Sequence, residues 1–190
     1  MSEYIADQNF KGKNYTLERL PKGEYDHCVF EGCDWSNAFL DNQHFNECEF
    51  IDCNLSNVNV AHSIFNEVTF AGCKMLGIQL ETCNPFLRSF RFKECSLNFA
   101  SFYGMSLKNL SFVSCKLVEA DFTEADLTAA SFDDCDLQRA LFMNTQLDHA
   151  DFRTAYNYRF DPSQNHLKKT KFSKEGVLGL LAKYDIEIDG

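Results

Sequence analysis

No run of 18 apolar residues occurs anywhere in the 190-residue sequence, which excludes a membrane-spanning helix. The opening MSEYIADQNFKGKN lacks the apolar stretch of a secretory signal, so the cytoplasm is the expected location. Residues 23–73 contain nine acids and neither lysine nor arginine, and 119–151 contain nine acids with Arg139 as the one base. A net charge of −10 spread this way repels phosphates, so direct nucleic-acid binding is not expected. A basic protein, or a protein site that ordinarily holds DNA, suits it better. Between the acidic blocks, 74–118 carries six bases against two acids, a mildly basic belt.

Catalytic signatures are also missing. There is no HExxH, no GxSxG and no phosphate-cradling glycine loop. The nine cysteines show neither the CxxC spacing nor the histidine partners of a zinc site. Carboxylates are plentiful, but the four-sided rod that the repeat argued below implies is convex and offers them no pocket in which to shift their pKa values. The expectation is a non-enzymatic protein with no cofactor and no metal.

What is present is a period of five. Phe10, Tyr15, Leu20, Tyr25, Phe30, Trp35 and so on to Leu80 place one large apolar residue in every five. The phase then shifts by two, and Leu87, Phe92, Leu97, Phe102 and their successors continue to Phe152, the pattern ending at Asn157. A period of twenty lies on top of it: Phe10, Phe30, Phe50, Phe70, Phe92, Phe112, Phe132 and Phe152 are all phenylalanine. Neither period belongs to a helix or a flat strand. Four five-residue sides per turn make a four-sided solenoid whose coils stack at strand spacing, about 4.8 Å. Two residues before each large one the chain holds mostly Cys or Ala, with Phe90 and Leu110 as exceptions; this position is expected to point into a crowded corner. Eight cysteines sit there as small core residues, whereas Cys83 falls in the inserted segment, where exposure is expected.

The triplets ADF (120–122), ADL (125–127), ADF (150–152), CDL (135–137) and CNL (53–55) resemble the consensus of the pentapeptide-repeat family. That resemblance implies an all-β fold, a right-handed quadrilateral β-helix of about seven to eight coils. The organisation expected is an N-terminal lead-in over 1–8, the β-helix over 9–157 with a two-residue bulge within 81–87, and a C-terminal linker, helix and tail over 158–190. Ser173 is placed to cap a short α-helix through Lys183. This helix and its tail KYDIEIDG look like the C-terminus of the Qnr and MfpA quinolone-resistance subgroup, whose module joins two solenoids into a homodimer. Val177, Leu178, Leu180 and Leu181 are its expected dimerisation residues.

The subgroup further implies a DNA mimic that binds a type II topoisomerase, DNA gyrase or topoisomerase IV, modulating it or protecting it from quinolones. The acidic surface expected to do so comprises Asp121, Glu124, Asp126, Asp133, Asp134, Asp136, Asp148 and Asp151, with a loop contact at Asn84, Pro85 and Phe86. A mimic needs acids along one continuous face. The alternative, an interaction scaffold for another protein, does not.

Overall fold

The computed structural model describes residues 3–86, 89–184 and 186–187. Among the described residues thirteen short strands follow in order: β1 (Glu3–Ala6), β2 (Asn9–Lys11), β3 (Gly23–Asp26), β4 (Val29–Glu31), β5 (His44–Asn46), β6 (Glu49–Ile51), β7 (Ile64–Asn66), β8 (Val68–Ala71), β9 (Phe90–Lys93), β10 (Ser111–Val113), β11 (Ser131–Asp133), β12 (Asp151–Phe152) and β13 (Lys171–Phe172). The chain divides into two compact units, Met1–Ser101 and Phe102–Gly190. Together they hold about eight turns of parallel β-solenoid.

In the first unit β1, β3, β5 and β7 form one parallel stack, and β2, β4, β6, β8 and β9 another. The pairing register is that of the twenty-residue period: Phe10 faces Phe30, Phe30 faces Phe50 and Phe50 faces Phe70. Phe70 then faces Phe92. Asn84 still pairs like its predecessors, its N–H on Ser63 O, so the two extra residues fall between Asn84 and Phe90. Leu87 and Arg88, in that interval, lie outside the described residues. In the second unit β10, β11, β12 and β13 stack in parallel, with Phe112 facing Phe132 and Phe152 facing Phe172.

Aromatic residues one coil apart put ring over ring. Phe30 and Phe50 centroids are 4.8 Å apart, Phe112 and Phe132 5.2 Å, and Tyr15 and Trp35 4.5 Å, all stacked. Neighbouring columns meet edge to face, as Phe122 does with Phe132 at 5.7 Å. Each such pair adds about 0.5–1.5 kcal/mol beyond burial. Most sides then turn at the second residue after the large one, with φ between 49° and 64°. This left-handed step is what folds a strand-like chain into four sides every twenty residues.

Four sequence expectations are corrected. Glu3–Ala6 is not a lead-in but β1, paired with β3. The repeat does not stop at Asn157: Leu167 and Phe172 keep the twenty-residue spacing, and β13 adds a coil in which His166 bridges to Gln146. Cys83 is buried like the other eight cysteines, because the inserted residues lie after it. The short C-terminal helix is present at Gly176–Tyr184, wound as 3₁₀ rather than α. Gly176 and Gly179 lower its α propensity, and both press so closely on Tyr158 that a Cβ would overlap it. Ser173 does cap it, its Oγ accepting from Gly176 N at 2.9 Å.

The corner position explains the cysteines. Cys53 Sγ donates to Phe30 O on the coil below at 3.2 Å, and Cys73 does the same to Phe50 O. Thr145 Oγ1 takes the equivalent bond to Phe122 O at 3.0 Å, and Ser63 Oγ bonds Leu40 O. A thiol is a small core group here with a weak donor to spare. Burial pushes the Cys48 thiol up to about 12, and hydrogen bonding with Cys53 and Cys95, then burial, raises Cys73.

Candidate protein-binding surface

The eight acids singled out in the sequence are all in the second unit, but the coil spreads them over its four sides. Asp121 and Glu124 flank Phe122, Asp126 and Asp148 belong to the Leu127–Leu147 side, Asp133, Asp134 and Asp151 to the Phe132–Phe152 side, and Asp136 to the Leu137 side. They do not make one continuous face.

Half of them also brace turns. Asp121, Asp126, Asp136 and Asp151 each accept from the backbone N–H two residues on, at 2.8 to 3.1 Å, and are half-buried. Such Asx turns are a local structural use of aspartate. Two are ion-paired as well. Lys108 lies 3.1 Å from Asp126 and Arg153 2.7 Å from Asp151, whose carboxyl is held below its usual range chiefly by the Arg153 hydrogen bond. Asp148 accepts from Lys168 N at 2.8 Å. Glu124, Asp133 and Asp134 remain exposed.

In the first unit the β1–β3–β5–β7 stack instead carries exposed or half-buried carboxylates on each of its four coils, with His27 among them. At its corner Asp7, His27, Glu47 and Glu67 stand one per coil, all with left-handed φ and all exposed. On the adjoining flat strand surface lie Glu24 and Asp26. Asp26 is held low by hydrogen bonds, first from Asn46 and then from His27, so the face stays charged. His27 bridges Asp26 at 3.0 Å and Glu47 at 3.2 Å, which raises its own pKa. The twenty-residue period applied to charge identifies Glu47 and Glu67 as stacked like charges in the sequence; counting acids in linear blocks does not bring Asp7, Glu24 and Asp26 beside them.

Phe86 is 77% exposed, and Asn84 Oδ1 accepts from Phe86 N at 2.9 Å, fixing the turn around Pro85. The four C-terminal apolar residues separate: Leu180 is buried, Leu181 half-buried, and Val177 and Leu178 exposed. Among the described residues no group of side chains is arranged to hold a metal ion, and no helix is long and apolar enough to cross a membrane.

A profile described as pentapeptide repeat region matches residues 23–102, 43–120 and 85–158. Among curated proteins none matches the sequence. Among solved structures, a trypsin-treated variant of QnrB1, a plasmid-mediated fluoroquinolone resistance protein, superposes with a TM-score of 0.77 at 14% identity, covering 99% of this chain and 92% of that one. Full-length QnrB1 gives 0.63 at 14% identity, covering 97% and 100%. At this identity the likeness establishes a shared fold.

Proposed function

Since the chain belongs to the pentapeptide-repeat family, we propose that it is a non-enzymatic protein that acts by binding a type II topoisomerase, DNA gyrase or topoisomerase IV. The observation that carries the reading is the acid column of the first unit, Asp7, Glu47 and Glu67 with Glu24 and Asp26 beside it. Carboxylates on successive coils of a rigid sheet offer fixed negative charge of the kind a DNA-binding saddle accepts. The quinolone-resistance neighbour of the same fold supports the choice of enzyme.

Binding would compete with the duplex and change the state of the enzyme without any covalent step. Like charges stacked at Glu47 and Glu67 cost stability, so the column suits an electrostatic task. Exposed Val177 and Leu178 supply the apolar surface for a homodimer through the C-terminal helix. The second reading, a scaffold for a different protein, is favoured by the scattered acids of the second unit. Supercoiling by purified gyrase, and decatenation by topoisomerase IV, with and without a fluoroquinolone, separates the two. The topoisomerase reading expects a change at micromolar protein; unchanged activity and unchanged drug sensitivity of both enzymes would leave the scaffold.

A further inference from the structure

We propose that His27 is a pH-sensitive counter-ion of the acid column, which binds a cationic partner more tightly once the imidazole has lost its proton. The partner rests on the topoisomerase reading, whereas the coupling to pH stands without it. Both ring nitrogens meet a carboxylate: Nδ1 lies 3.0 Å from Asp26 Oδ2, and Nε2 lies 3.2 Å from Glu47 Oε2. A neutral imidazole has one N–H, so it serves one of these acceptors and turns a lone pair on the other. The double bridge therefore requires the charged ring. His44, on the same stack, has a single such contact among the described residues, with Nδ1 3.6 Å from Glu24.

The surroundings leave this role to one side chain. Among the described residues neither Asp26 nor Glu47 has a lysine or arginine within ion-pairing distance, so His27 is the cation between them. Asp7 from the first coil and Glu24 from β3 add negative charge nearby, and the Tyr4 hydroxyl of β1 donates to Asp26 at 3.1 Å. The other oxygen of Asp26 accepts from Asn46, whose own side-chain oxygen accepts from Asn66 at 2.6 Å. That ladder fixes the acceptor in place when the ring moves. The His27 backbone is anchored as well, its N–H on Asn46 O at 3.0 Å, while half of its side chain faces water. The ring thus exchanges its proton with buffer without opening the fold. Hydrogen bonding to Asp26, then the charges of Asp26 and Glu47, raise its pKa, which carries the change towards neutral pH. Losing the proton adds one net negative charge to the column. A docking cation prefers that state, and by reciprocity it expels the proton as it binds.

The test is an amide NMR titration of the full chain with decalysine at about pH 5.5 and about pH 8.5, on either side of the imidazole's range. It compares wild type with His27→Asn. Asparagine accepts the left-handed φ of 49° and already occupies such corners at Asn37, Asn42 and Asn57, so the variant should fold. At the higher pH the two proteins should bind equally, with shifts at Glu47 and Glu67. At the lower pH wild type should bind about threefold more weakly than His27→Asn, the effect of one nearby charge. Calorimetry at about pH 7, in two buffers of unequal ionisation enthalpy, should show wild type releasing more protons on binding than the variant. The proposal is overturned if the two proteins bind equally at both pH values, if His27→Asn is the weaker at low pH, or if decalysine shifts neither Glu47 nor Glu67. If decalysine binding follows His27 while gyrase and topoisomerase IV do not respond to the protein, the partner is wrong and the switch stands.

Discussion

Single residues in this fold carry two burdens that linear reading hides, a left-handed backbone and a neighbour one coil away. Ala129 shows the first. It sits at φ 59°, exposed, with its N–H on Asp148 O. Left-handed φ costs an ordinary L-residue about 1–2 kcal/mol, and glycine's extra unfolded-state entropy offsets part of the gain from replacing it. Ala129→Gly should therefore stabilise by about 0.5–1 kcal/mol, measured by urea unfolding. Gly72 marks the opposite case, since a Cβ there would run into the Asp52 carboxylate. His27 shows the second burden. Its raised pKa comes first from the Asp26 hydrogen bond and then from the charges of Asp26 and Glu47. A group whose folded pKa exceeds its unfolded value stabilises fully below the unfolded value and ceases to do so above the folded one. The His27 contribution should be complete below pH 6.5, the ordinary imidazole value, and vanish as pH rises through its shifted midpoint. An NMR titration should place that midpoint above 6.5, and Glu47→Gln should move it back down. A midpoint at or below the ordinary value would refute the bridge.

At the scale of elements, the C-terminal helix divides its apolar residues between two tasks. Leu180 closes onto its own unit, while Val177 and Leu178 face outward. Deleting the whole module would uncover the last coil as well as any partner surface, so a point substitution tests the dimer more cleanly. Val177→Lys with Leu178→Lys should give a monomer by light scattering with the circular dichroism of the wild type; an unchanged mass refutes a dimer through this helix. The strands were far more legible than this helix. A phenylalanine every twenty residues fixes the register, because slipping by one would turn each ring from core to solvent. The coil ending at Phe172 went unread because Tyr158, Phe160 and Pro162 break the five-residue spacing, although Leu167 and Phe172 keep the spacing of twenty. The acidic surface was least legible, since its members are neighbours only across coils. Counted along the chain, Asp126 and Asp136 look like surface charge; in the fold each satisfies a backbone N–H.

For the molecule as a whole, a charge of −10 gives long-range attraction to any basic partner, so net charge alone cannot locate a binding face. What separates a recognition surface from general acidity is the response to moving equal charge at different places. Glu47→Lys with Glu67→Lys and Asp133→Lys with Asp134→Lys each change the net charge by the same amount. All four acids are exposed, so the backbone of either unit should tolerate the change. General attraction predicts equal losses, screened alike as the Debye length falls to about 8 Å at physiological salt. A face on the first unit predicts unequal ones. The half-inhibitory concentration against gyrase supercoiling should rise by about tenfold or more for the Glu47 and Glu67 pair, and by less than about threefold for the Asp133 and Asp134 pair. The first pair should also flatten the dependence of inhibition on salt, because the charges that steer the encounter are the ones removed. Equal losses in the two variants would assign the effect to net charge, and a larger loss from Asp133 and Asp134 would move the binding face to the second unit.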